Sequence, residues 1–338
     1  MANPKKIIND PKQVVPELLD GLIYAYHGQI HKIDGLPALI KTDIPDDKVA
    51  LLIGGGSGHE PVFHGFIGPN MADGAACGNI FAAPSPDVIL AATQAVHRGK
   101  GVLYVYGNYA GDNMNFDIAA EMAEDDGIAI RTVRVWDDVA SAPPERCEER
   151  RGIAGDALVL KVAGAATAKA ATLDEAYRIT AKARDNTRSM AVAVAAGSIP
   201  ETGALTFELA EDEIEIGMGA HGEPGVSREK MKPADALVDD VMARILADQP
   251  LAAGSEVALL INDMGATTMM ELLIVNRRVR QILEQQGIVV HSTDIGSFVT
   301  TQEMAGFSIT LMALDEELKN CLDQPADSFG FMRTGLRG

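Results

Sequence analysis

Aromatic side chains make up only 5% of this chain, with a single tryptophan, so alanine, valine, isoleucine and leucine must do most of the core packing. Apolar runs are short. None approaches the roughly 20 residues that a membrane-spanning helix needs. The N-terminus, MANPKKIINDPKQVV, carries two lysines but no apolar stretch behind them, which is not the pattern of a secretory signal. Cysteines are scarce: Cys77, Cys147 and Cys321 are odd in number, widely spaced and in no metal-ligand pattern, and they read as ordinary thiols of a cytoplasmic protein. Positive charge is also in deficit. A net charge of −19 would repel a polyanion, which argues against nucleic acid and anionic membrane as partners.

What is present is ample material for a core, with 47% hydrophobic residues, and 33 glycines to form tight loops. The length of 338 residues suits two domains better than one. Residues 48–54, 101–106 and 128–136 are short apolar runs that predict buried strands, and 115–126 has helical spacing between the last two. This is βαβ grammar and predicts a largely parallel sheet flanked by helices. Residues 157–185 predict one long alanine-rich helix. After it the grammar changes. Strands are expected at 189–195, 205–209, 213–218, 256–262, 287–291 and 307–314, and helices at 234–247 and 268–286. The expected fold is therefore α/β with two domains, 1–187 around a largely parallel sheet and 188–338 around a mixed sheet with helices.

Three glycine-rich segments follow predicted strands. In Gly54-Gly55-Gly56-Ser57-Gly58-His59-Glu60-Pro61 the glycines allow backbone N–H groups to approach a ligand oxygen. A phosphate-binding P-loop would need Lys and then Ser or Thr after the glycines, and Pro61 obstructs the helix of a dinucleotide fingerprint. The loop therefore suits a small polar molecule, or is a tight turn without a ligand. In Gly107-Asn108-Tyr109-Ala110-Gly111-Asp112, the lone carboxylate Asp112 either accepts a proton from a substrate hydroxyl or caps the next helix. In Gly217-Met218-Gly219-Ala220-His221-Gly222-Glu223-Pro224-Gly225, His221 is flanked by small residues and either faces a cleft or bonds to backbone. His59, His221 and Asp112 could together hold zinc or iron, although no HxH, HExxH or CxxC spacing supports a metal.

Together these segments resemble the substrate-binding K subunit of the dihydroxyacetone kinase family, whose pattern is a GGGSGHEP loop, a NYTGD turn and a GIHGEPG loop in that order. Here they stand as GGGSGHEP, GNYAGD and GAHGEPG. KKIIND near the start, GFIGPNMADGAACGNIFAAPSPD, RRGIAG, NDMGATTMMEL and MAGFSITLMAL extend the likeness over almost the whole chain. The resemblance implies a homodimer of two-domain α/β subunits. It implies that His221 attacks a ketose carbonyl to form a hemiaminal, that His59 and Asp112 activate the terminal hydroxyl as general bases, and that Gly56, Ser57 and Gly58 hydrogen-bond the substrate. It implies no cofactor on this chain. A partner L subunit would carry ADP or ATP with magnesium, recharged by a phosphotransferase-system M protein or by free ATP. A non-catalytic ketose-sensing co-regulator is the alternative role. One position departs from the pattern: the family commonly has lysine before Asn-Tyr, and Gly107 stands there. A donor is lost and space is gained, which fits a four-carbon ketose such as erythrulose as well as dihydroxyacetone.

Overall fold

The computed structural model describes residues 5–334. Two six-stranded sheets carry the architecture. The first contains β1 (Ile30–Lys32), β2 (Ala38–Lys41), β3 (Lys48–Ser57), β4 (Gly74–Ile80), β5 (Gly99–Gly107) and β6 (Ile130–Val135), in the order β1-β2-β4-β3-β5-β6. Its β4-β3-β5-β6 part is parallel, and β1 and β2 add an antiparallel margin. The second contains β7 (Thr187–Ala195), β8 (Glu213–Ile216), β9 (Ser227–Lys230), β10 (Glu256–Asp263), β11 (Val289–Gly296) and β12 (Ala305–Leu314), in the order β11-β10-β12-β7-β8-β9. Only β10 and β11 pair in parallel there. A short hairpin of β13 (Ala326–Asp327) and β14 (Met332–Arg333) closes the described chain.

The helices are α1 (Val14–Ala25), α2 (Pro86–Val96), α3 (Ala110–Asp125), α4 (Gly155–Lys169), α5 (Leu173–Asp185), α6 (Ala234–Asp248), α7 (Met269–Gln285) and α8 (Glu316–Leu322). Strand alternation sorts them into layers. In β3, Ala50 and Leu52 pack towards α2 and α3, while Val49, Leu51 and Ile53 pack towards α4. In β10, Ala258 and Leu260 join that same α4 cluster from the other side, while Val257, Leu259 and Ile261 face α6 and α7. Helix α4 is thus sandwiched between the sheets. It is buried without a break from Gly155 to Thr167, so it has no polar face.

The expected helix at 157–185 is two helices. Thr172 breaks it by leaving helical geometry and accepting the Glu175 N–H on its hydroxyl. The segment expected as a strand at 205–209 is a loop, with a single bridge between Ser198 and Leu205.

The connection from β3 runs to β4 on one side, whereas that from β5 runs through α3 to β6 on the other. The carboxyl ends of β3 and β5 therefore flank a topological switch point, the place where open α/β sheets form a ligand crevice.

Candidate active site

The GGGSGHEP loop leaves the end of β3 and the GNYAGD turn leaves the end of β5, so both open onto that crevice. The second sheet closes it from above. Asp137 to Val139, just past β6, crosses to β7: the Ser189 N–H donates to Asp137 O at 2.8 Å and the Val139 N–H to Ser189 O at 3.0 Å. Arg151 pairs with Asp138 at 2.8 Å and donates to Gly217 O at 3.2 Å, tying the root of the His221 loop to the rim of the first sheet. The segment Thr300–Gln302 stitches the two histidine loops together. The Thr300 N–H donates to His59 O and the Gln302 N–H to Gly58 O, at 3.2 and 2.9 Å. The Thr301 hydroxyl reaches Ala220 O at 2.6 Å.

The result is a cavity of ≈ 30 Å³ lined by His59, His221, Asp112, Asp156, Gly55, Gly56, Gly107, Tyr109 and a few apolar side chains. His59 Nε2 and His221 Nε2 lie 3.0 Å apart. Each ring's other nitrogen is committed. His59 Nδ1 faces the carbonyl of Thr300 at 2.8 Å, so it must carry a proton. His221 Nδ1 faces Glu223 Oε1 at 3.1 Å, and the His221 N–H donates to Glu223 Oε2 at 2.9 Å. Burial works to raise the Glu223 carboxyl, but the hydrogen bonds and charge of His221 prevail and hold it at about 2, so it is an anion. Burial, and then the charge of His221, push His59 down to about 4. Two bare Nε2 lone pairs would repel at 3.0 Å, so one proton lies between them. Tyr109 presses edge-on against the His221 ring with centroids 4.7 Å apart, and Phe81 abuts both imidazoles.

Asp112 sits in the first turn of α3. The cap position belongs to Tyr109, so Asp112 does not cap the helix. Its Oδ1 is buried with no protein partner. Burial raises its carboxyl to about 6, against the opposing pull of His221. Gly107 sits in the cavity wall where it touches Gly152. A Cβ on Gly152 would meet Gly107 Cα at 2.6 Å, so the close approach of the two backbones requires glycine.

Gly56 lines the cavity, whereas Ser57 and Gly58 do not. The Ser57 hydroxyl is spent on Gly78 O at 2.7 Å and the Gly58 N–H on Glu60 Oε1 at 2.9 Å. Gly58, at φ +103°, turns the chain so that His59 faces inward. Among the described residues no group of three or more His, Cys, Asp or Glu side chains is placed to hold a metal ion. Reasoning from motifs missed Glu223 as the anchor of His221, the splint Thr300–Gln302, and Asp156. The signal for Asp156 was its position: a carboxylate in the first turn of a helix that is otherwise almost wholly apolar.

A family model described as the Dak1 domain matches residues 20–330. The chain belongs to the Dak1 domain family. One Dak1 relative is a PTS-dependent dihydroxyacetone kinase 2, dihydroxyacetone-binding subunit DhaK, from Listeria innocua. It is 45% identical over 96% of this chain and 98% of its own length. An L-erythrulose 1-kinase from Mycolicibacterium smegmatis is 38% identical over 98% of this chain, which spans only 58% of that longer protein. Among solved Dak1 structures, the dihydroxyacetone kinase from C. freundii in complex with AMP-PNP and Mg2+ superposes with a TM-score of 0.88 at 32% identity. The match covers 99% of this chain and 62% of that one. A dihydroxyacetone kinase operon co-activator, Dha-DhaQ, also superposes with a TM-score of 0.88, at 30% identity, over 96% of this chain and 99% of its own. No helix in the described residues is long and apolar enough to cross a membrane.

Proposed function

We infer that this chain is the substrate-binding subunit of a dihydroxyacetone-type kinase and captures a small ketose covalently on His221. The observation that carries this reading is the facing pair of Nε2 atoms beside the unpartnered Asp112 carboxyl. The Nε2 proton of His221 passes to His59, and the freed lone pair attacks the ketose carbonyl carbon. The carbonyl π electrons move to oxygen, which takes that proton back from His59 as the hemiaminal forms. Glu223 offsets the positive charge left on the substituted ring. A polyol such as glycerol has no carbonyl and is excluded. Covalent attachment then fixes the terminal hydroxyl for phosphoryl transfer, and Asp112, titrating near 6, is ionised at neutral pH and accepts the hydroxyl proton.

The phosphoryl donor, a nucleotide with magnesium, would be held by an L subunit docked over the cavity. That subunit would be served by a phosphotransferase protein, as the name of the Listeria relative suggests. The subunit is proposed to be a cytoplasmic homodimer. The likeness to Dha-DhaQ favours co-activation as the second reading, but a sensor needs only the capture histidine, and the presence of both His59 and Asp112 favours the kinase.

The test mixes the purified chain with dihydroxyacetone or erythrulose, with and without an L subunit and its donor. The expected outcome is ketose binding by the chain alone and phosphorylation only in the pair. With Gly107 in place of the family lysine, kcat/KM is expected to be higher for erythrulose, and Gly107→Lys should move the preference back towards the triose. Ketose phosphorylation by the chain alone would refute this division of labour. Binding without phosphorylation by any L subunit would leave the co-activator reading in its place.

A further inference from the structure

Asp156 has no role in the chemistry above, yet its carboxyl lines the same cavity and is only 4% exposed. Its Oδ1 has no hydrogen-bond partner in the protein. A buried polar atom without a partner costs stability, so it calls for a reason. Helix capping does not provide one. The amides at the start of α4 are already taken by Asp137, which accepts the Ile153 N–H on Oδ1 and the Gly155 N–H on Oδ2, both at 2.8 Å. A structural ion pair does not provide one either. The other charged side chain within α4's buried stretch, Lys161, points away and donates to Cys321 O at 2.8 Å.

The place of Asp156 relative to Gly107 is informative. A Cβ on residue 107 would lie 3.0 Å from Asp156 Oδ2, with Gly152 Cα and the Tyr109 ring next at 3.6 Å. Gly107 therefore keeps this carboxyl open to the cavity, and any side chain there would crowd it. At this point of the wall the group facing the cavity is a carboxyl.

Resting on the reading of the site as a ketose-capture site, we propose that Asp156 is a specificity-determining residue that hydrogen-bonds the ketose hydroxyl on the arm that is not phosphorylated. Asp112 takes the reacting hydroxyl and Asp156 takes the second. Burial first, and then the neighbouring Asp137 and Asp112 charges, raise the Asp156 carboxyl well above the usual range, which favours its neutral form. A carboxylic acid both donates and accepts, which matches a hydroxyl without burying a net charge. A site built to bond a hydroxyl also rejects an analogue without one, because the protein group is then left unpaired.

The experiment is a calorimetric titration of the full chain with three probes: dihydroxyacetone, L-erythrulose, and hydroxyacetone, which keeps the carbonyl and one hydroxyl but lacks the second. Wild type is expected to bind the first two at least about tenfold more tightly than hydroxyacetone. In Asp156→Ala that ratio should collapse to within about threefold, with hydroxyacetone affinity little changed and the melting temperature not lowered. Gly107→Ala, which sets a methyl against Asp156 Oδ2, should reduce the ratio in the same direction and covers the case in which Asp156→Ala does not fold. Asp156→Asn, which still donates and accepts, should retain most of it. If Asp156→Ala weakens all three probes equally, or leaves the ratio at its wild-type value, the proposal is overturned while ketose capture stands. If wild type binds none of the three, the capture reading itself fails and takes this proposal with it.

Discussion

The two imidazoles at the centre of the site are the same group in two electrical settings, and the contrast explains their division of labour. His59 hangs from the carboxyl edge of the parallel sheet and bonds a neutral carbonyl, Thr300 O. The charges of Glu60 and Glu223 favour a cation there less than burial, and then the charge of His221, oppose it, and its basicity is pushed down to about 4. His221 comes from the loop between β8 and β9 of the mixed sheet and bonds the anion Glu223 through both its ring and its backbone N–H. A charge that develops on His221 is balanced where it forms, and one on His59 is not. The first is therefore suited to carry a covalent bond, which leaves a cation, and the second to pass a proton and return to neutrality. On the proposed mechanism the half of the site on the first sheet supplies acceptors, and the half on the second supplies the nucleophile with its counter-ion.

The largest effect should come from removing one imidazole or the other. His221→Ala is expected to abolish ketose capture, seen as loss of the added substrate mass in intact-protein mass spectrometry and of heat in titration. His59→Ala should keep the adduct but form it more slowly. Substrate mass gained by the His221 variant would invalidate the contrast. Next in size is the proton acceptor. Asp112→Asn should leave ketose affinity within a few-fold and lower turnover by more than the ~10²-fold typical of a lost general base. Because Asp112 titrates near 6, the wild-type rate should fall as pH drops below that value, when the acceptor becomes protonated. The variant's residual rate should lack this acid limb, and near-normal turnover would remove Asp112 from the mechanism. A smaller effect is expected for Glu223→Gln. It keeps the loop's hydrogen bonds in outline but removes the negative charge opposite the substituted ring. Ketose affinity should weaken by roughly tenfold, the lower end for a lost charge-assisted bond, with turnover of the saturated protein little changed. A turnover defect at unchanged affinity would place Glu223 in phosphoryl transfer instead.

Most of the strands read in the sequence are buried on both faces; β6 and β11, read as well, are not. β3, β5, β7, β10 and β12 are continuous apolar runs because helices or the other sheet cover each side. β4, with the sequence GAACGNI, was missed because small residues pass for a loop when the packing of Gly74 against Val96 and Ile40 that demands them is unknown. Strands β1, β2 and β9 are too short to show a period. His59, Asp112 and His221 stood out because glycines isolate them at strand ends. Asp156 did not, since its proposed role depends on Gly107, 49 positions away in the chain. Similarly, the partners that engage the Ser57 hydroxyl and the Gly58 N–H, Gly78 and Glu60, could not be assigned before the fold was known.

The smallest effect sharpens the comparison from the side of stability. Groups that serve a ligand are paid for by the free protein, and Asp112 is proposed to be such a group. Its carboxyl holds a proton more tightly folded, titrating at about 6, than it would in an unfolded chain, near the ordinary 3.8. Below 3.8 both states are protonated and the group costs nothing on this account. As pH rises from 3.8 to 6 the unfolded state releases its proton first, so unfolding is favoured, and above 6 the full penalty is present. The nominal size is about 1.36 kcal/mol per pKa unit. Partial contact of the side chain with solvent reduces it, and a net cost of about 1 kcal/mol is a reasonable expectation. Asp112→Asn removes the ionisation and keeps the shape. At pH 7.5 it should melt a degree or two above wild type, and at pH 3.5 the two should coincide. A carboxylate that instead held the structure together would show the opposite: a variant less stable at pH 7.5, with the deficit shrinking in acid. Melting curves of the two proteins at these two pH values, without ketose, decide between a residue kept for its substrate and one kept for the fold.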